Sequence, residues 1–113
     1  MSTEPDSCTL VLLKRAEGAP DLPEEELDAI QERHLAHLRA MREQGAMAVA
    51  GPFGDQRDER LRGMCLYTVG PDEARALAEQ DPAVQAGRLA VEVLTWYFPR
   101  KEVTFARTTP TPT

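Results

Sequence analysis

An α+β fold with its elements in the order strand, helix, strand, strand, helix, strand is what this sequence predicts. Three observations lead there. Leu27, Ile30, Leu38 and Met41 recur at helical spacing, about 100° per residue, within residues 24–44. A shorter helical set, Ala74, Leu77 and Ala78, follows Gly70-Pro71 and stops at Asp81-Pro82, where a residue before proline is driven out of the α region. Runs with strand composition flank and separate the two helices, at residues 8–15, 46–50, 63–69 and 89–98. This succession is the split βαβ, or ferredoxin-like, pattern of one antiparallel sheet and two helices.

Each element has its own local reason. Cys8-Thr9-Leu10-Val11-Leu12-Leu13 is a short apolar run ahead of a loop that carries Gly18, Pro20 and Pro23, so it reads as the first strand. Residues 1–7 are polar and expected to fray. Pro23 and Glu24-Glu25-Glu26 suit a helix start, because carboxylates in a first turn face the positive end of the helix dipole. Gly45 then supplies the left-handed conformation that ends many helices. Residues 46–50 form a small-residue strand closed by Gly51-Pro52, and residues 53–62 a mixed-charge loop of the kind that is usually a solvated connection. A third strand over residues 63–69 leads to Gly70-Pro71 and the second helix, with Asp72 and Glu73 in its first turn. Residues 83–86 fit one further turn stopped by Gly87, and the last strand occupies residues 89–98.

The totals exclude several classes. With 113 residues the chain suits one core, and 42% apolar with 28% charged residues is ordinary for a globular protein. A net charge of -6 disfavours nucleic acid and anionic membrane surfaces as partners. No apolar run approaches a membrane span, and residues 1–7, with Glu4 and Asp6, lack the basic and apolar regions of a signal peptide. A cytoplasmic location is the expectation. Cys8 and Cys65 stand outside any CxxC spacing and are expected to be reduced and buried. Placed at the starts of neighbouring antiparallel strands, they would lie at opposite ends and form no disulfide.

Apolar residues alternate on both faces of the last strand, Leu89, Val91, Val93 and Tyr97 against Leu94, Trp96 and Phe98. Two helices cover one face of a sheet. A second copy on the other face is the simplest way to bury it, so a homodimer is expected. The domain is placed at residues 8–98, with 99–113 a C-terminal extension: residues 100–105 could add an edge segment, and the Thr/Pro-only end, 108–113, is expected to be disordered.

Few residues can carry chemistry. His34 projects from the middle of the apolar stripe of the first helix, either as a hydrogen-bonded core residue or as a functional base. His37, about 60° from the stripe's centre, has a structural or rim role. No cluster supplies the further ligands of a metal site. Asp81 before Pro82 is by spacing a helix N-cap. Tyr67 is either a packed strand residue or a hydrogen-bond donor to a ligand.

His34-Leu35 on the first helix, Ala50-Gly51-Pro52 after the second strand, and Asp81-Pro82-Ala83-Val84-Gln85-Ala86-Gly87 before the last strand together resemble the YCII-related domain, over about residues 8–98. The resemblance implies a dimeric α+β barrel in which two sheets face each other, and a pocket where His34 and Asp81 form a catalytic pair. It implies no substrate: the family's best-defined activity is dehydrochlorination of a chlorinated hydroxyquinol, and most members have no assigned reaction. On this reading His34 is a general base oriented by Asp81, while Gly51, Pro52, Pro82 and Gly87 shape the substrate site. Proton abstraction from a small cyclic or phenolic molecule needs no metal or organic cofactor, which suggests a lyase or isomerase. The alternatives are a non-catalytic module that holds a small ligand in the same pocket, and a purely structural role for both residues.

Overall fold

A computed structural model describes residues 6–54 and 60–104 of the chain. It contains β1 (Asp6–Arg15), α1 (Glu24–Glu43), β2 (Met47–Pro52), β3 (Leu61–Tyr67), α2 (Pro71–Glu79), α3 (Pro82–Gln85) and β4 (Leu89–Phe98). The strands form one sheet in the order β2-β3-β1-β4, each neighbouring pair antiparallel. This is the α+β, ferredoxin-like topology, with a third helix of four residues between α2 and β4.

The helices cover one face of the sheet. Ile30, His34, Leu38 and Met41 are the buried residues of α1, and Ala74 and Ala78 those of α2. Of these, Leu38, Met41, Ala74 and Ala78 meet Val11 and Leu13 of β1, Met47 of β2, and Cys65 and Tyr67 of β3 in the core. Burying each larger aliphatic side chain contributes about 1.5–3 kcal/mol. Gly45 ends α1 at φ +79°, and its neighbour Ala46 accepts a bond from Thr68 N–H at 2.8 Å, which seats the start of β2 beside the end of β3.

The boundaries differ from expectation at several points, each with a pairing reason. β1 starts at Asp6, because Asp6 and Ser7 pair with Phe98 and Tyr97 of the long β4 instead of fraying. β2 runs through Gly51 and Pro52. As the edge strand it accommodates proline, which has no N–H to give to a ladder. β3 lies two residues earlier than residues 63–69: Tyr67 is its last paired residue, while Thr68 and Val69 bend away, with Val69 O accepting from Thr9 Oγ1 at 2.7 Å. Residues 100–104 add no strand; Lys101 sits at φ +69° and its N–H bonds Asp6 Oδ2 at 3.0 Å. Of the mixed-charge loop expected over residues 53–62, residues 61 and 62 belong to β3 and residues 55–59 lie outside the described residues, as does the Thr/Pro end.

Cys65 is not at a strand start. It pairs with Val11 and shares the helix-covered face, whereas Cys8 pairs with Trp96 and points to the other face. The two thiols are free because the sheet lies between them, not because they sit at opposite ends.

The face away from the helices is apolar and open. Leu10 pairs with both Leu66 and Leu94, and Trp96 packs edge-on against Phe98 with ring centroids 5.3 Å apart. Leu94 and Trp96 are 44% and 43% exposed.

Two irregularities interrupt the ladders. Between Met47 and Val49, Ala48 is the extra residue of β2. Between the pairs Leu13–Gly63 and Lys14–Leu61, Arg62 is the extra residue of β3. A bulge of this kind releases a residue from strict alternation and re-aims its side chain. Just beyond it the strands come close: a Cβ on Gly63 would stand 2.6 Å from Gly51 O.

Candidate functional site

Two residues 47 positions apart in the chain are brought into contact. His34 occupies the buried stripe midway along α1. Asp81, extended at ψ 126°, immediately precedes Pro82, the first residue of α3. Its Oδ1 accepts from Ala83 N–H at 2.9 Å, and its Oδ2 stands 2.6 Å from His34 Nδ1. One carboxylate thus caps a helix and holds an imidazole, a different oxygen serving each role. The side chains are 11% and 2% exposed, so water does not compete for this contact. An ionised carboxylate only accepts, so Nδ1 is the donor, and in the neutral ring Nε2 is left with its lone pair.

The surroundings keep other protons in place. Burial, and then the nearby Asp81 charge, push the Cys65 thiol up to about 12. Burial, then Cys65 and Asp81, raise the Tyr67 phenol above its ordinary value. Both stay protonated at neutral pH, so Cys65 is no thiolate nucleophile. Among the described residues no three His, Cys, Asp or Glu gather at metal-binding distance. His37 is half-buried, and its Nε2 is enclosed without a hydrogen-bond partner among the described residues.

In front of His34 lies a cavity of about 710 Å³, between α1 and the end of the sheet where β1 and β2 finish and β3 and β4 begin. Leu13, Ile30, Leu38 and Leu89 give it apolar walls, and Gly51 and Pro52 form part of its rim. Pro82 and Gly87 do not line it. Pro82 opens α3 beneath Asp81, and Gly87, at φ +76°, turns the chain into β4. The cavity also carries arginines that the sequence reading did not single out: Arg15, Arg39, Arg42, Arg62 and Arg88. A signal for two of them was present, since Gln31, Leu35, Arg39 and Arg42 recur at intervals of four, four and three beside His34. For the rest the sequence offered none.

The model of the YCII-related domain matches residues 9–97. This chain belongs to that family. Among solved structures, it is similar to 5-chloro-2-hydroxyhydroquinone dehydrochlorinase from Burkholderia phenoliruptrix AC1100, in complex with 2,5-dihydroxybenzoquinone, at 27% identity and TM-score 0.47, covering 77% of this chain and 92% of that one. It is also similar to a hypothetical protein of Arabidopsis thaliana, at 14% identity and TM-score 0.48, covering 93% and 97%. No curated protein matches significantly. Among the described residues no helix is long and apolar enough to cross a membrane.

Proposed function

We propose that this protein is a small enzyme in which His34 acts as general base on a small cyclic or phenolic molecule, in lyase or isomerase chemistry without a metal or organic cofactor. The observation that carries the reading is the 2.6 Å contact between His34 Nδ1 and Asp81 Oδ2 behind the cavity. With Nδ1 committed to Asp81, the remaining ring nitrogen is the basic one, and the carboxylate stabilises the imidazolium formed when it takes a proton. The electron pair released from the substrate's C–H or O–H bond then forms a double bond, expelling an anionic leaving group in a lyase, or recaptures the proton at another carbon in an isomerase. Gly51 and Pro52 wall the substrate, while Pro82 and Gly87 serve it indirectly by fixing Asp81 and the turn that follows.

The functional unit is a homodimer. In this family's barrel arrangement two sheets face each other, and the open face built from Leu10, Leu12, Leu66, Leu94 and Trp96 is apolar enough to be such an interface, burying at least about 1,200 Å² in total. Residues 8–98 make the domain, with 99–113 an extension. Two free thiols on opposite faces of the sheet suit a reducing, cytoplasmic setting.

Deuterium exchange tests the chemistry. Hydroquinone and related phenols are incubated with the protein in D2O, and loss of ring proton signals is followed by NMR. The wild type accelerates exchange and His34→Gln loses about 10²-fold or more of it. Binding without exchange in either protein would support the alternative, a module that holds its ligand without turnover.

A further inference from the structure

We infer that the cavity recognises an anion: its ligand is a small ring compound bearing a carboxylate or phosphate group, gripped by arginine while the ring lies beside His34. The inference rests on the reading of this cavity as the substrate site and adds the ligand's charge. The chain as a whole is acidic, with 13 Lys and Arg against 19 Asp and Glu. The cavity reverses that balance. Its lining has five arginines and, among the described residues, a single carboxylate, Asp28.

These arginines come from separate elements and converge. Arg15 ends β1, Arg39 and Arg42 occupy the last turns of α1, Arg62 is the bulged residue of β3, and Arg88 precedes β4. Arg88 donates to Pro20 O at 2.7 Å. Among the described residues the guanidinium groups of Arg15, Arg39, Arg42 and Arg62 have no ion pair or hydrogen bond. Arginine presents a planar fork of fixed donors that matches a carboxylate or phosphate in a bidentate pair. Arg15, Arg39 and Arg62 are exposed and Arg42 and Arg88 half-buried, so the cavity's mouth is positively charged where a ligand enters from water. Leu13, Ile30, Leu38 and Leu89, from the same elements, provide the apolar surface for a ring. Polar head and apolar body together describe a substituted aromatic or cyclic acid.

Titrations followed by ¹H–¹⁵N NMR decide the matter, with benzoate, phenyl phosphate and the neutral benzyl alcohol as probes, on the wild type and on Arg39→Gln, Arg62→Gln and His34→Gln. The two anions are expected to shift signals around residues 34, 39 and 62 and to bind about tenfold or more tightly than benzyl alcohol at low salt. Each arginine variant weakens the anions about three- to tenfold and leaves benzyl alcohol unchanged, while His34→Gln retains the preference for anions. The tighter of the two anions names the acid group. Equal binding of all three probes at the cavity, or anion binding untouched by both arginine variants, overturns the charge inference and leaves the substrate-site reading standing. If no probe shifts cavity signals, the substrate-site reading fails and takes this inference with it.

Discussion

Replacing Asp81 separates its two roles, because each of its oxygens serves one of them. Asp81→Ser keeps a hydroxyl that can accept from Ala83 N–H but loses the partner of His34. Asp81→Ala loses both. A hydrogen bond to a charged group contributes about 1.5–3 kcal/mol, and both partners are buried deeply enough to place this one in that range. A cap is worth about 1 kcal/mol. Asp81→Ser is therefore expected to destabilise the fold by about 1.5–3 kcal/mol and Asp81→Ala by about 1 kcal/mol more. At about 4 °C per kcal/mol for a chain of this size, the first corresponds to a melting point lower by about 6–12 °C. Urea unfolding at pH 7 and fixed protein concentration measures the changes, with equal slopes required for the comparison. The pairwise part comes from a cycle with His34→Leu, which leaves the carboxylate alone in the interior. A coupling energy of about 1.5 kcal/mol or more is expected, and one below about 0.5 kcal/mol would refute the argument, making Asp81 a cap that merely happens to lie beside an imidazole.

Three other perturbations have definite outcomes. Gly63→Ala drives a Cβ against Gly51 O on the neighbouring strand and is expected to cost about 1–3 kcal/mol in urea unfolding; an unchanged midpoint would mean that β2 moves aside freely. Cys65 binds its proton in the folded chain up to about 12, against an ordinary 9.0, so its contribution is whole below the ordinary value and is lost as pH rises towards the folded one. Stability should then fall by up to about 1.4 kcal/mol per pH unit from this thiol in that window, and Cys65→Ala should flatten the decline, leaving the parts due to Cys8 and Tyr67; identical slopes between pH 9 and 11 would rule out the Cys65 thiol as a cause. Trp96→Glu, on the open sheet face, should convert a dimer to a monomer in light scattering at micromolar concentration, whereas a wild type that already scatters as a monomer would exclude the interface.

What could be read from the sequence was whatever one residue type or one period decides locally. The apolar stripe of α1 with His34 inside it, the stop at Gly45, and the limits of β4 at Leu89 and Phe98 needed only neighbours along the chain. Strand ends fixed by a partner were less legible. Asp6 and Ser7 are polar, and only the length of β4 draws them into the sheet; Gly51-Pro52 looks like a stop until β2 is known to be the edge. Asp81 was legible as a cap from spacing, while its second bond depends on the packing of α3 against α1, which no local pattern encodes. Arg15, Arg62 and Arg88 escaped for the same reason. Charged residues in strands and at helix ends ordinarily face water, and their convergence on one cavity exists only once four strands and a helix have been assembled.

The bulge at Arg62 has an evolutionary consequence. Because the ladder between β1 and β3 closes on Leu61 and Gly63 and passes over residue 62, exchange of that side chain leaves strand pairing intact. The proposed base, His34, sits elsewhere, on a helix that the exchange does not touch. On the proposed function, ligand preference and proton transfer would thereby be separable traits in this scaffold: lineages, or a designer, could vary position 62 to change what enters while His34 and Asp81 stay as they are.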